Sequence, residues 1–261
     1  MRTQLRSTPR VGRLTLDGMR SQYWTNEQAE TYDNPRNRMF SPEVLGPTVD
    51  FLAELAGDGR ALELAIGTGR VAVPLRERGV EVHGIELSEP MVAQLRTKVG
   101  ADEIPVTVGD MSLVRAPGEF TLVYLVYNTI SNLLTQEAQV DCFRNAAAHL
   151  VPGGHFVVEL GVPALRRLPP GQAAVPFDVT PEHIGFDTYD LVNQRLTSHH
   201  YNRDADGLYH YGPSEHRYIW PSELDLMAQL AGLELVRRVA DFTGAKFTAE
   251  SPSAVSVWRK P

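Results

Sequence analysis

The chain has 261 residues, 43% of them hydrophobic, so it can bury one sizeable core with at most a small added subdomain. Its formal net charge of −7 argues against nucleic acid or an anionic membrane as the main partner, because both require a basic surface. The single cysteine, Cys142, excludes an internal disulfide and disfavours a cysteine-based metal site.

The N-terminal part predicts a tail followed by a helical cover. Residues 1–20 are typical of a disordered basic tail, and residues 21–261 are expected to form the folded domain. Prolines and apolar spacing predict a helical N-terminal cover over residues 21–56, built from two short pieces and an amphipathic helix at 44–56. No apolar run reaches the roughly 20 residues that span a bilayer, and the N-terminus lacks a secretory signal, so we expect a cytoplasmic protein without a membrane partner.

Residues 60–86 have the plan of a nucleotide-binding βαβ unit. An apolar strand at residues 61–66 precedes a tight turn at Gly67 and Gly69, and a helix beginning near the second glycine leads to another apolar strand. That strand ends on Glu86, 19 positions after Gly67. This is close to the roughly 20-residue interval at which an acid reaches a ribose hydroxyl.

Downstream, strands alternate with helices, which predicts a doubly wound α/β sandwich. Further strands are predicted at residues 104–108, 120–126 and 155–160, the last one after a turn at residues 152–154. The pattern changes after Gly161, where runs rich in Tyr, Thr and His indicate short antiparallel strands. We therefore expect a β-rich insertion over about residues 173–220. A helix with a capping box at Ser222 and Asp225, and two more strands, complete the chain.

Two cofactors fit the glycine turn. The run from Gly67 to Ala72 satisfies G-x-G-x-x-A, so an NAD(P)-dependent oxidoreductase is one candidate, and a non-catalytic nucleotide-binding module is another. A pyrophosphate binds the free amides of a helix N-terminus. Glu63, just before the turn, would repel a pyrophosphate but suits a cation such as the methionine end of S-adenosyl-L-methionine.

The residues around this turn resemble the first motif of class I S-adenosylmethionine-dependent methyltransferases. In Glu63-Leu-Ala65-Ile-Gly67-Thr-Gly69, Ala65 stands where the family usually has its first glycine. We expect little strain from this alanine, on the assumption that its torsion φ is negative. Gly109-Asp110-Met111 resembles the adenine-binding motif, and residues 150–154 resemble the family's approach to strand five. Tyr127-Asn128-Thr129 resembles the segment after strand four that faces cofactor and acceptor.

The resemblance implies a Rossmann-like doubly wound sheet of seven strands in the order 3-2-1-4-5-7-6. Its last strand would be antiparallel, with an antiparallel β insertion after strand 5. It also implies methyl transfer from S-adenosyl-L-methionine to a nitrogen, oxygen or carbon of a small molecule. The pattern is most similar to bacterial enzymes of the small-molecule type, including those that modify secondary metabolites.

The same resemblance assigns roles to individual residues. Glu86 would accept hydrogen bonds from both ribose hydroxyls, Asp110 would accept from the adenine amine, and Met91 would pack against the ring. Arg70 and Tyr32 are candidates for the methionine carboxylate. The complete set of predicted cofactor contacts is Tyr32, Glu63, Ala65, Gly67, Gly69, Arg70, Glu86, Leu87, Met91, Asp110, Met111 and Tyr127.

The residues that contact the methyl acceptor are harder to predict from the sequence. The insertion holds five of the eight histidines and five of the nine tyrosines, which suits either a lid over the active site or a surface resting on the sheet or on a second subunit in a homodimer. His199 and His200 are adjacent in a predicted strand, so at most one can serve a given site. The predicted substrate contacts are Asn128, Asn132, His199 and Tyr201.

Two further expectations concern proton chemistry and metals. An amine acceptor needs no strong base, whereas a hydroxyl usually requires one. Some sugar-amine N-methyltransferases of the family place a histidine where Asn132 stands, and an asparagine cannot act as a base. No His, Asp and Glu cluster has metal-ligand spacing, so no metal is expected.

Overall fold

The computed structural model describes residues 25–34 and 37–261; the tail predicted at residues 1–20 lies outside them. The helices are α1 (Asn26–Tyr32), α2 (Pro42–Ala56), α3 (Ala72–Glu77), α4 (Glu89–Arg96), α5 (Gln136–His149) and α6 (Pro221–Leu230). Single 3-10 turns occupy Arg38–Phe40, Thr129–Asn132 and Ala164–Arg167. The strands are β1 (Arg60–Leu64), β2 (Glu81–Glu86), β3 (Val106–Val108), β4 (Phe120–Leu125), β5 (Leu150–Gly161), β6 (Ala174–Val179), β7 (His183–Asp190), β8 (Arg195–Arg203), β9 (Tyr209–Arg217), β10 (Glu234–Val239) and β11 (Ser253–Arg259).

Seven strands form the central sheet in the order β3-β2-β1-β4-β5-β11-β10. Only β11 runs antiparallel to its neighbours, β5 and β10, and the other pairs are parallel. This confirms the predicted order, with β10 and β11 as its sixth and seventh strands. Helices α2, α3 and α4 cover one face of the sheet, and α5 and α6 cover the other. The carboxyl ends of β1, β2 and β4 therefore meet at one edge, where ligands bind in this kind of sheet.

Helix α3 begins later than predicted. The expected start near Gly69 is wrong because Gly67 and Gly69 have φ values of 58° and 79°, which lie outside the helical region. The helix starts at Ala72 instead. Pro74 then falls in the first turn of the helix. Backbone N–H groups there have no carbonyl partner within the helix, so the missing N–H of proline costs no hydrogen bond.

Strand β5 is longer than predicted, because the turn expected at residues 152–154 lies inside it. Leu150 pairs with Phe120 while His155 pairs with Leu122, so extra residues of β5 bulge between the two register pairs. The bulge is held by the far end of the chain, since Gly153 N–H donates to the Lys260 carbonyl at 2.8 Å. The glycines therefore bend a continuous strand instead of separating it from α5.

Strands β6 to β9 form a separate antiparallel sheet, which confirms the predicted insertion after the fifth strand. The sequence did not indicate β6, in which Pro176 interrupts the strand pattern. Arg217 anchors the insertion: it is buried at the end of β9 and donates to Gln139 Oε1 on α5 at 2.6 Å and to Glu223 Oε1 on α6 at 2.7 Å.

The capping box predicted for α6 is wrong. Trp220 is the N-cap, and no side chain caps the helix. The Asp225 carboxylate accepts hydrogen bonds from the Arg238 guanidinium at 2.6 and 3.0 Å and from Trp258 Nε1 at 3.1 Å. A guanidinium is a stronger partner for a carboxylate than a backbone amide, so Asp225 joins α6 to β10 and β11. No helix within residues 25–34 and 37–261 has the length and apolar character to cross a membrane.

Candidate cofactor and acceptor site

The glycine turn follows β1 at the carboxyl edge of the central sheet. Gly69 N–H donates to the Ile66 carbonyl at 3.0 Å, which closes the turn. A Cβ at Gly69 would lie 2.3 Å from Leu95 Cδ1 of α4, so this position requires glycine for space as well as for its positive φ. The close contact brings the turn down onto the helix that follows β2.

Ala65 differs from the sequence-based expectation. Its φ is 54°, in the left-handed region, so the assumption of a negative torsion is wrong. Ala65 therefore has a left-handed backbone conformation that a glycine would adopt without strain. For an L-residue this conformation costs about 1–2 kcal/mol.

Glu86 joins the end of β2 to the glycine turn. Its Oε2 accepts from Gly67 N–H at 2.8 Å, and its Oε1 accepts from Ser88 N–H at 2.8 Å. The residue is only 6% exposed. Burial raises the pKa of this carboxyl group, and the backbone amides of Ser88, Gly67 and Leu87 oppose that shift. Because each carboxylate oxygen has a second lone pair, Glu86 can accept from two further donors, such as a pair of neighbouring hydroxyls.

Asp110 follows β3 on the neighbouring loop. Its Oδ1 accepts from the Ser112 amide at 2.8 Å and from the Ser112 hydroxyl at 2.7 Å. Both contacts use one oxygen, so Oδ2 remains available for another donor. Met111 points into the core, which gives this residue a packing role, and Met91 is buried on the first turns of α4. Leu87, after Glu86, is half-buried.

Two cavities lie between the N-terminal cover and the sheet edge, and Arg70 and Tyr127 border both. The Arg70 guanidinium carbon lies 5.2 Å from the centroid of the Tyr127 ring. The smaller cavity, about 40 Å³, includes Tyr32, Glu63, Ala65, Gly67 and Arg70 in its lining. The larger one, about 260 Å³, is lined by Asn37, Arg38, Met39, Val44, Thr48, Arg70, Tyr127 and Glu159.

Glu63 is a buried acid beneath the smaller cavity. Burial raises its pKa to about 8, although the hydrogen bond from the Tyr124 hydroxyl (2.9 Å) and the charge of Arg70 oppose the shift. Burial also raises the pKa of Tyr32 to about 12. A cation placed beside Glu63 would favour its charged form, so the acid suits an ammonium group better than a phosphate.

The segment after β4 is strained and held by β5. Tyr127 and Asn128 have left-handed φ values of 58° and 59°. Tyr127 N–H donates to Glu159 Oε2 at 2.8 Å, and the Gly161 amide donates to Asn128 Oδ1. Two consecutive non-glycine residues in this region require such support, and strained residues of this kind cluster at functional sites.

The insertion sheet has two chemically different faces. On one face, Phe186, His199, Tyr201 and Tyr211 form an aromatic cluster; Phe186 and His199 stack at 4.7 Å, and Tyr201 and Tyr211 lie 4.9 Å apart. We call this group the outer aromatic face. His200 lies on the opposite face, as the alternation of strand residues requires.

His216 shares the face of His200, because it lies four residues from Gly212, the register partner of His200. Its Nδ1–H donates to Asn132 Oδ1 at 3.1 Å. Asn132 ends the 3-10 turn that begins at Thr129, a lining residue of the smaller cavity, and residues three apart eclipse in such a turn. His216 therefore contacts the 3-10 turn whose first residue lines the smaller cavity. The described linings of the two cavities include neither this pair nor the predicted contacts His199 and Tyr201.

Several site residues were missed by sequence reasoning. Asp33 and Lys98 contact the glycine turn through Thr68, Glu159 supports Tyr127, and His216 reaches Asn132. None belongs to a local motif, and each is distant in sequence from its partner. For the acids and the lysine no sequence signal was available. For His216, its position near the end of a predicted strand was the one available signal.

The geometry can be compared with known proteins. Residues 61–154 match a family described as "Methyltransferase domain". The solved structure of the CcbJ methyltransferase from Streptomyces caelestis is 38% identical and superposes with a TM-score of 0.79, and the match covers 89% of this chain and 95% of that one. The cypemycin N-terminal methyltransferase of a Streptomyces species is 28% identical over 200 residues, which are 74% of this chain and 80% of the relative.

A third relative has a shorter match. The dTDP-4-amino-2,3,4,6-tetradeoxy-D-glucose N,N-dimethyltransferase of Saccharopolyspora spinosa is 27% identical over 143 residues, 53% of this chain and 56% of that protein. The two candidate cofactors were NAD(P) and S-adenosyl-L-methionine. The matches, together with the sheet order and the glycine turn, identify the cofactor as S-adenosyl-L-methionine. The chain belongs to the class I S-adenosylmethionine-dependent methyltransferases.

Proposed function

We propose that this enzyme transfers the methyl group of S-adenosyl-L-methionine to an amine nitrogen of a small molecule. The acceptor class is supported by the names of two relatives, an N-terminal methyltransferase of cypemycin and an N,N-dimethyltransferase of a dTDP-linked amino sugar. The observation that carries the donor half is the Glu86 carboxylate, which faces the glycine turn with two acceptor positions to spare.

The described residues suit the parts of the donor. Glu86 would hold the ribose hydroxyls and Asp110 Oδ2 the adenine amine, with Leu87 and Met91 as walls. Arg70 borders both cavities and suits the methionine carboxylate, with Tyr32 in the same cavity lining. Glu63 would then face the ammonium group. The bound donor supplies an electrophilic methyl group, and the protein must align the acceptor and exclude water.

The insertion sheet is proposed as a lid over the acceptor. An amine is largely protonated at neutral pH and must lose a proton before its lone pair can accept a methyl group. Burial lowers the pKa of His216, the neighbouring His200 adds to the shift, and Glu215 opposes it. The shift keeps the imidazole unprotonated, and we propose this neutral imidazole as the group that receives the proton. With Nδ1–H bonded to Asn132, the unprotonated atom is Nε2, which accepts a hydrogen bond from the Ser214 hydroxyl at 3.0 Å. We propose that the Ser214 hydroxyl relays the proton of the amine to Nε2, taking up one proton as it gives its own to the imidazole.

The remaining assignments follow from charge and exposure. We propose that residues 21–261 act as one domain. We also propose that the outer aromatic face packs against a second copy in a homodimer, since its Tyr211 is 51% exposed. The net charge of −7 supports the absence of a nucleic-acid partner.

Calorimetry and a transfer assay test the proposal. S-adenosylhomocysteine should bind the full chain, and NADH should not; binding of NADH alone would overturn the donor half. Methyl-labelled S-adenosylmethionine is then offered with amino sugars and short peptides, each matched by its hydroxyl analogue. Label in the amines supports the acceptor class. Label confined to the hydroxyl analogues would reject nitrogen while leaving the donor assignment intact.

A further inference from the structure

Three elements of the chain meet at the side chain of Asp33, just after α1. Asp33 Oδ1 accepts from the Thr68 hydroxyl at 2.7 Å, and Asp33 Oδ2 forms an ion pair with Lys98 Nζ. Lys98 Nζ also donates to the Thr68 carbonyl at 2.7 Å. These three residues form a closed triangle, which we call the clasp.

The clasp connects the N-terminal cover to the glycine turn. Thr68 lies between Gly67 and Gly69 and is 1% exposed, whereas the Asp33 and Lys98 side chains are about one-third exposed (31% and 32%). An isolated surface ion pair contributes little to stability. In the clasp, the Thr68 hydroxyl also bonds to the Asp33 carboxylate and the Thr68 carbonyl also bonds to the Lys98 ammonium group. Such a hydrogen-bonded network is stronger than a single ion pair.

The position of the clasp links it to the cofactor cavity. Tyr32, the residue before Asp33, lines the smaller cavity together with Gly67 and Thr68. Helix α1 has seven residues, which is too short to be stable without tertiary contacts. It packs on α4, which ends at Arg96, two residues before Lys98. The clasp therefore sets where Tyr32 lies relative to the glycine turn.

We infer that Asp33 and Lys98 are positioning residues that hold the N-terminal cover closed over the bound cofactor, and that opening of the clasp limits cofactor release. This inference rests on the proposed placement of S-adenosyl-L-methionine at the glycine turn. A purely structural clasp would change the melting temperature, whereas a closing clasp changes the dissociation rate of the ligand. The two roles can be separated by measuring both quantities.

The experiment measures S-adenosylhomocysteine release from the full chain by stopped-flow displacement, together with the melting temperature of each variant. Lys98→Met keeps the length of the side chain but removes its charge, and Asp33→Asn removes the opposite charge. Each should raise the dissociation rate about tenfold, as expected when a charge-assisted contact is lost. Lys98→Arg keeps the charge and should stay within about threefold of the wild type.

A matched control tests whether any lost ion pair has the same effect. Arg78 pairs with Asp50 between α3 and α2, and neither residue lines the two cavities. Arg78→Met should leave the dissociation rate unchanged. An equal rise in this variant, or an unchanged rate in both Lys98→Met and Asp33→Asn, would overturn the clasp.

Salt supplies a second readout, whose first part uses only the wild type and therefore does not require any variant to fold. Raising the ionic strength from about 0.05 to about 0.5 M should speed release from the wild type, because the clasp charges are partly exposed, and should have less effect on Lys98→Met. If the wild type does not bind S-adenosylhomocysteine, both the cofactor placement and the clasp fail. If it binds but releases the ligand at the same rate in all variants, only the clasp fails.

Discussion

The Glu86 carboxylate accepts a hydrogen bond from the Gly67 amide at 2.8 Å, which ties the end of β2 to the turn that follows β1. One acid therefore shapes the turn and presents its remaining lone pairs to a ligand. The contact crosses 19 residues of sequence, the separation that first indicated a ribose-binding acid.

Replacing Glu86 should weaken cofactor binding. We expect Glu86→Ala to raise the dissociation constant for S-adenosylhomocysteine at least tenfold, because a hydrogen bond to a charged group is worth roughly 1.5–3 kcal/mol. Calorimetry measures the change. Glu81→Ala, at the exposed opposite end of β2, is the control and should bind like the wild type. Equal affinities for Glu86→Ala and the control would remove Glu86 from the site.

Glu63 should make stability depend on pH. Its pKa rises from 4.5 to about 8 on folding, so between these values the folded chain holds a proton that the unfolded chain releases. The free energy of unfolding should therefore fall as pH rises from about 5 to 8, by up to about 1.4 kcal/mol per pH unit. Denaturant titrations at several pH values measure this slope.

Glu63→Gln should remove the part of the slope that Glu63 contributes, since the amide stays neutral. The same substitution tests the proposed ammonium contact. At pH 7 the wild type should release protons when it binds S-adenosylhomocysteine, which calorimetry in buffers of different ionisation enthalpy detects. Proton release of the same size in Glu63→Gln would contradict the assignment.

The strain at Ala65 should be measurable as stability. Ala65→Gly relieves a left-handed alanine, so we expect the free energy of unfolding to increase by about 1 kcal/mol. Thermal or urea unfolding checks the value. Ala61→Gly, in the regular strand β1, is the control and should destabilise the protein. A destabilised Ala65→Gly variant would show that the methyl group has a packing role that outweighs the strain.

The two faces of the insertion should respond differently to substitution. With an amine acceptor identified by the labelling screen, His216→Asn should lower kcat at least tenfold, because general-base groups contribute about 10² or more. His210→Asn, which changes an exposed histidine on the same face of β9, is the control. His199→Asn should leave kcat unchanged, and a large loss there would place the acceptor on the outer aromatic face.

Local patterns were sufficient for much of the fold. The apolar run before Gly67, the glycine turn and the spacing to Glu86 depend on neighbours in sequence, and so does the alternation of strands and helices. The same residues appear in the structure as β1, the turn and β2. Side-chain roles were less accurate where a tertiary contact intervened, as at Asp225, whose carboxylate pairs with Arg238 and does not cap the helix as predicted.

The succession of strands and helices, the family motif and the acids that follow the strands were predictable, because they depend on residues close together in the chain. The order of the strands in the sheet was predicted from the family resemblance that this motif carries. The tertiary structure alone decided the left-handed torsion of Ala65, the clasp from Asp33 to Lys98, and the face of the insertion that reaches Asn132. Each of these depends on partners between 30 and 84 positions apart, or on a backbone shape that side-chain patterns do not encode. Burial and charge at such contacts arise only when distant segments pack together.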